Sequence, residues 1–199
     1  MNQKRAASVR YVAKVGILSA IAAVLMLIEI PLFFAPSFYK LDLSDTVALI
    51  GGFALGPGAA ALIELLKNLL HLVLKGTSTV FVGEAANFVT GCLFVVPAAM
   101  LYARSKSKKT ALRGSVIGAL CLTAAGALVN YFILIPVYVS VLHLPLDAII
   151  AAGTEVNGAI VDLKTLIAFA VVPFNLLKGA ADTVLTLLLY KRLSPLLHR

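Results

Sequence analysis

Asn175 and Lys178 stand three residues apart in the last apolar run of the chain, and Glu84 and Asn87 have the same spacing in an earlier one. On a helix each pair shares one face. Asn130 interrupts a third apolar run, beside Tyr131. Polar groups at membrane depth cost free energy and mark functional positions by default. An amide donates and accepts hydrogen bonds, an ammonium only donates and a carboxylate only accepts. A ring of these five groups would suit a neutral ligand with many donors and acceptors. The competing reading is interhelical hydrogen bonding, with Lys178 paired to Asp182 or Glu84 and the asparagines cross-linking helices.

Glu64, Lys67, Asn68 and His71 form a second polar group on one helical segment. Glu64 and Lys67 pair at i, i+3 on the face that carries His71. An ion pair is the better reading than a proton relay, because one helix alone supplies no continuous path. Catalytic machinery is missing from the sequence. There is no GxxxxGK[ST] phosphate loop, no HExxH and no GxSxG elbow. His71, His143 and His198 show no metal-ligand spacing, and Cys92 and Cys121 sit inside apolar runs as inert thiols. The expectation is therefore no enzyme, no metal and no bound cofactor.

The elements that position these groups follow from composition. The chain has 199 residues, 61% hydrophobic and 13% charged, with a mean hydropathy of +1.00. A soluble domain carries about 25% charge and 45–50% apolar residues. A span needs roughly 20 apolar residues, so five or six fit. Four are clear, at about 11–32, 81–103, 114–140 and 165–190. As one helix, 44–74 would be about 46 Å long, and Gly56-Pro57-Gly58 interrupts its middle.

Charge decides that segment. Twelve of the seventeen basic residues fall in three clusters: Lys4, Arg5, Arg10 and Lys14; Arg104, Lys106, Lys108, Lys109 and Arg113; and Lys191, Arg192 and Arg199. Two short spans, 44–55 and 57–74, put all three on one side, as basic loops mark the cytoplasmic face. The net charge of +8 thus reads as orientation, not as nucleic-acid binding. The reading is a single transmembrane domain over 1–199. It is an all-α integral membrane protein of six helices, with both termini cytoplasmic. Outer segments fall at 33–43, 75–80 and 141–164, the last with a short helix. Pro136 and Pro173 kink the last two spans.

Gly16-xxx-Ala20 and Ser19-xxx-Ala23 place small residues four apart on the first helix, which lets another helix approach closely. Three stretches then carry a resemblance: "YKLDLSDTVALIGGFALGPGAAALIELLKNLLHLVLKGTSTVFVGEAANFVTG", "NYFILIPVY" and "PFNLLKGAADTVLTLLLYKRLSPLL". In order and spacing, from Tyr39 to Leu197, the chain resembles the riboflavin-specific substrate-binding (S) components of energy-coupling factor (ECF) transporters.

The resemblance implies six helices in the bacterial cell membrane and a vitamin pocket near the outer face. It also implies a complex with one transmembrane coupling protein and two cytoplasmic ATPases, which alone use ATP. Riboflavin is then a transported ligand. The family's Ala-xxx-Ala contact with the coupling protein matches Gly16 to Ala20, with glycine in the first place. Its polar flavin contacts match Asn130, Asn175 and Lys178. Leu41 and Val80 suit the flat ring, while Glu84, Asn87 or Thr79 suit the ribityl hydroxyls. Two alternatives stay open: another vitamin such as thiamine, biotin or a folate, and a self-sufficient secondary transporter coupled through Glu64, Lys67 and His71.

Overall fold

A computed structural model describes residues 3–197, with side chains described for 8–190 and for Arg192. The side chains of Lys4, Arg5, Lys191, His198 and Arg199 lie outside this set. The elements begin with α1 (Gln3–Met26), the hairpin strands β1 (Ile30–Pro31) and β2 (Lys40–Leu41), and α2 (Ser44–Leu55). Then come α3 (Pro57–Lys75), α4 (Val82–Arg104) and α5 (Lys108–Val129). A π turn over Asn130–Leu134 joins α5 to α6 (Ile135–Ser140), and α7 (Leu146–Val156) follows. α8 (Leu163–Leu166) runs through a second π turn, Ile167–Val171, into α9 (Val172–Leu197).

Five helical stretches among the described residues are long and apolar enough to cross a membrane: Ser8–Met26, Pro57–Lys75, Val82–Arg104, Lys108–Ser140 and Leu163–Tyr190. α2 is apolar but only 12 residues long. The polarity of the bundle is inverted relative to a water-soluble protein. Ile17, Phe132 and Leu188 are 62%, 67% and 65% exposed, whereas Glu64, Lys67 and Asp182 are fully buried. Such an apolar exterior belongs in lipid.

Several boundaries differ from the sequence expectation, each for a local reason. The first helix ends at Met26, not near 32. Pro31 disfavours helical backbone in the residue before it, and the chain turns into a hairpin pairing Ile30 with Leu41 and Pro31 with Lys40. The 33–43 segment is thus partly strand. The fifth span starts at Lys108 rather than 114, because the Ser107 hydroxyl accepts from the Thr110 amide at 3.2 Å and caps the helix. Lys108, Lys109 and Arg113 therefore ride on helix. The last helical stretch starts at Leu163, where Asp162 and Thr165 form a reciprocal capping box. The break inside 44–74 falls at Gly56, whose φ of 100° favours glycine, with Pro57 opening α3.

α2 is the hub. It packs against α1, α3, α4 and α9, and every residue from Ser44 to Phe53 is buried. α5 is held to α4 by a glycine seam absent from the small-residue pairs noted on the first helix. A Cβ on Gly114 would meet the Ala98 carbonyl at 2.8 Å, and one on Gly118 would collide with the Phe94 backbone. On the other side, a Cβ on Gly179 of α9 would lie 2.6 Å from the Ala119 methyl. Without a hydrophobic drive between helices, such close approach is what packing energy rests on.

Gly118→Val should therefore destabilise the bundle by about 1–3 kcal/mol through overpacking. Gly16→Val, at a position with nothing within 4 Å, should leave stability unchanged. Thermal unfolding of both variants in mild detergent reads the contrast, and equal melting temperatures would refute the seam.

Candidate functional site

A cavity of about 590 Å³ opens between the hairpin loop, the later turns of α3, the start of α4, the α5–α6 junction and α9. Asn130, Asn175, Lys178, Glu84 and Asn87 all line it, as does Thr79. Two other expected contacts lie elsewhere. Leu41 is buried in a small cluster with Ala35 and Phe174, because strand pairing turns it under the hairpin. Val80 is about half exposed at a φ of 51° and does not line the cavity.

The two π turns set the amide positions. Proline lacks an N–H and cannot close a helical bond to the residue four before it. Pro136 and Pro173 free the carbonyls of Phe132 and Phe169 in this way. The backbone accommodates each with wider i→i+5 bonds, from Ile135 N–H to Asn130 O and from Val172 N–H to Ile167 O. Asn130 opens one π turn and Asn175 follows the other by four residues. Each amide donates one N–H to its own helix, Asn130 to Gly126 O and Asn175 to Val171 O, both at 2.8 Å. Gly126 makes room for Asn175, since a Cβ there would lie 2.7 Å from its Nδ2.

Beneath the cavity lies a buried charge network. α2 starts inside the bundle, so its first N–H groups need protein acceptors. Asp42 accepts from Ser44 N at 3.0 Å, and Asp182 reaches from α9 to accept from Thr46 N at 3.1 Å and Thr46 Oγ1 at 2.7 Å. Acids at this helix terminus also meet the positive end of its dipole. They require cations in turn. Lys178 Nζ lies 2.9 Å from Asp42 Oδ2, 3.2 Å from Asp45 and 3.9 Å from Asp182. Lys67 pairs with Asp45, donates to Ser44 Oγ at 2.9 Å and lies 2.9 Å from Glu64 Oε2.

This network changes the roles read from spacing. Lys178 is not a free donor in the wall: Asp42 and Asp45 hold it, and neither was named as its partner. Glu64 and Lys67 do pair, but Asp45 of α2 joins them, and His71 points into the cavity instead. Thr77 and Thr79 both donate to Glu84 Oε2, at 3.1 and 3.0 Å. On α1, Gly16 and Ala20 are exposed, whereas Ser19 and Ala23 are buried in the protein's own core. Of the two small-residue pairs, only Gly16 and Ala20 are open to a partner helix.

Tyr39 was missed. It sits on the hairpin loop, donates to Asn130 Oδ1 at 2.7 Å and packs against the Phe174 ring at 5.5 Å. Burial pushes its phenol well above its ordinary value, so it remains a donor. Its only sequence signal was an aromatic residue in a loop between spans. Glu29 anchors the same loop. It pairs with Lys40 at 2.7 Å and with Lys75 at the end of α3. These hydrogen bonds, Lys40 first, hold its carboxyl below its ordinary value of 4.5.

The chain matches the family model "ECF transporter, substrate-specific component" over residues 10–190. It is 34% identical to riboflavin transporter FmnP of Bacillus subtilis (strain 168) over 188 residues, 94% of this chain and 93% of that protein. It is also 34% identical to riboflavin transporter RibU of Staphylococcus aureus (strain TCH60) over 185 residues, 93% of this chain and 90% of the relative. A solved S component of a bacterial ECF transporter superposes with a TM-score of 0.73 at 30% identity, covering 96% of this chain and 99% of the other.

Two predictions follow from the geometry. Lys67→Met leaves Asp45 and Glu64 buried without their shared cation and should cost about 3–5 kcal/mol of stability. The triple variant with Asp45→Asn and Glu64→Gln should recover most of it in denaturant titrations; no recovery would argue against charge as the cause. The Glu29 clamp should act on pH with a defined sign. A carboxyl held below its ordinary value stabilises fully above that value and loses the effect as pH falls through its folded value. Hydrogen-exchange protection factors in the hairpin loop, corrected for the intrinsic pH dependence of exchange, should stay constant above about pH 5 and fall below 4.5, and Glu29→Gln should flatten the profile.

Proposed function

The chain belongs to the substrate-specific components of ECF transporters, a transporter family and not an enzyme family, and from that premise we propose that it captures riboflavin for import. The single observation that carries the reading is the cavity whose wall sets Asn130 and Asn175 beside the aromatic faces of Tyr39 and Phe174. Isoalloxazine is flat and largely apolar, with a uracil-like edge of two carbonyl acceptors around one N–H donor. An amide can answer both. Asn175 keeps its carbonyl and one N–H uncommitted by any protein bond in the structure. Asn130 is engaged by Tyr39 through its oxygen, so an entering ligand exchanges with the loop at this group. Lys178 shapes the wall while bound to its carboxylates.

Six membrane passes with both termini cytoplasmic are the topology that fits this role. In support, α2 and α9 run side by side in one direction: Asp182 meets Thr46 at one level, and the Tyr190 hydroxyl donates to Phe53 O at 3.3 Å at the other. That parallel course supports reading α2 and α3 as two separate passes. The cavity then opens on the outer face of the bacterial cell membrane. Energy comes from a transmembrane coupling protein and two ATPases, because the chain lacks a phosphate-binding loop of its own. The exposed Gly16 and Ala20 on α1 are where the coupling protein approaches.

Protein purified in mild detergent from cells grown in rich medium should be yellow, with flavin absorbance bands. Asn175→Ala is the informative variant, since among the described residues its side chain bonds only to its own helix and its loss spares the fold. It should weaken riboflavin binding at least about tenfold, as expected for lost hydrogen bonds in a dry site. Colourless protein that also fails to quench added riboflavin fluorescence would sink the substrate assignment.

A further inference from the structure

We propose that the basic end shared by α4 and α5 is a docking surface for the phosphodiester headgroups of anionic phospholipids. Arg104 closes α4, Lys106 lies in the turn, and Lys108, Lys109 and Arg113 ride on the first turns of α5. All five side chains are exposed. The glycine seam brings them together: Gly114 lies against the Ala98 carbonyl and Gly118 against the Phe94 backbone, leaving no room for a Cβ at either. The Ser107 hydroxyl, accepting from the Thr110 amide, fixes the turn between the helices. The cations thus form one ordered surface.

The protein supplies no counter-charge there. No Asp or Glu occurs between Glu84 and Asp147. Asp42, Asp45, Glu64 and Asp182 belong to the buried network, and Glu29 and Glu84 line the cavity. Asp147, Glu155 and Asp162 follow the helical stretch Lys108–Ser140, which carries the chain about 50 Å away at 1.5 Å per residue. Among the described residues, none of the five cations has an ion pair. Like charges this close repel one another, so an anion from outside stabilises the surface.

The surroundings say what carries that anion. Lys109, Arg113, Val116 and Leu120 follow one another at helical i+3 and i+4 steps, so one face of α5 passes directly from cations to exposed apolar side chains. On α4, exposed Met100 stands one turn before Arg104. A phospholipid matches both parts, with its phosphodiester at the cations and its acyl chains along the apolar face. Guanidinium groups take phosphate oxygens in pairs, and the lysines add point charges. A free phosphate or an acidic soluble protein would meet only the cations. In the topology proposed above, the surface lies in the inner leaflet.

This inference goes beyond the cargo assignment and does not depend on it. The test incubates the full-length protein in mild detergent with equal amounts of phosphatidylglycerol and phosphatidylcholine and counts the retained lipids by native mass spectrometry. Wild type should retain at least about tenfold more phosphatidylglycerol, and the excess should fall as salt screens the contact. The triple variant Lys108→Gln, Lys109→Gln, Arg113→Gln should lose most of the excess, whereas Lys164→Gln, far along the chain from the surface, should keep it. The salt series needs no variant and decides the matter if the triple variant does not fold. Equal retention of both lipids by wild type, an excess indifferent to salt, or an excess that survives the triple substitution would overturn the proposal. Displacement of the bound lipid by millimolar glycerol phosphate would show a site for phosphate alone and overturn the lipid assignment. So would equal retention of both lipids with loss of a co-expressed coupling module from the triple variant, which would make the surface a protein interface.

Discussion

A helix that begins inside an apolar bundle must find acceptors for its first amide N–H groups, and much of this molecule follows from that demand. α2 is only 12 residues long and buried nearly throughout. Water cannot reach its first turn, and every unmet donor there costs on the order of several kcal/mol in a membrane interior. Asp42 and Asp182 meet the demand. Their charges, with that of Asp45, then call for Lys178 and Lys67, and Lys67 brings in Glu64. The far end of α2 is closed in the same manner, by the Tyr190 hydroxyl on Phe53 O. One short helix thus recruits ionised side chains from α3 and α9 and fixes three elements against one another.

The floor of the cavity is the upper surface of this network. Asp42 is at once cap, counter-ion and lining, and Asp45 and Lys178 are counter-ions that also line the cavity. Because the ammonium is compensated, the cavity presents to its ligand amide edges and aromatic faces rather than a strong local charge. That suits an uncharged heterocycle better than an anion. Tyr39 completes the surround from the hairpin loop, so the cavity is closed partly by a segment that Glu29 and its two lysines hold in place.

Much of this was legible from residue types and spacing. The break at Gly56-Pro57 and the two separate helices around it follow from backbone chemistry, and the polar residues of the wall stand out because hydrocarbon tolerates so few. Contacts between distant segments were not legible. Nothing in the spacing of Lys178 indicates Asp42, 136 residues away, and the i+4 position of Asp182 suggested a nearer partner that lies at 3.9 Å. The glycines of α5 carried no signal of their own, because what a missing side chain admits depends on the opposing helix. Ser19 and Ala23 failed for the related reason that a pair of small residues does not reveal which side of the helix faces outward. The end of α1 was misplaced because Ile30 and Pro31 are apolar enough to extend a hydropathy window while being wrong for a helix.

Along α5 and its continuation, residues 111–119 pack against α4 and α9, whereas Gly126, Asn130, Leu134 and Tyr138 face the cavity. α9 is divided likewise, with Phe174, Asn175 and Lys178 at the cavity and Gly179 onward in the seam. The π turns fall on the cavity side of that division. Recognition and assembly are therefore written on different stretches of the same two helices. Substitutions around the amides can alter which molecule is held while the lipid-facing contour of α1 and the glycine contacts stay untouched. Such a division makes the scaffold interchangeable: descendants with different cargo could keep a single outline toward a common engine.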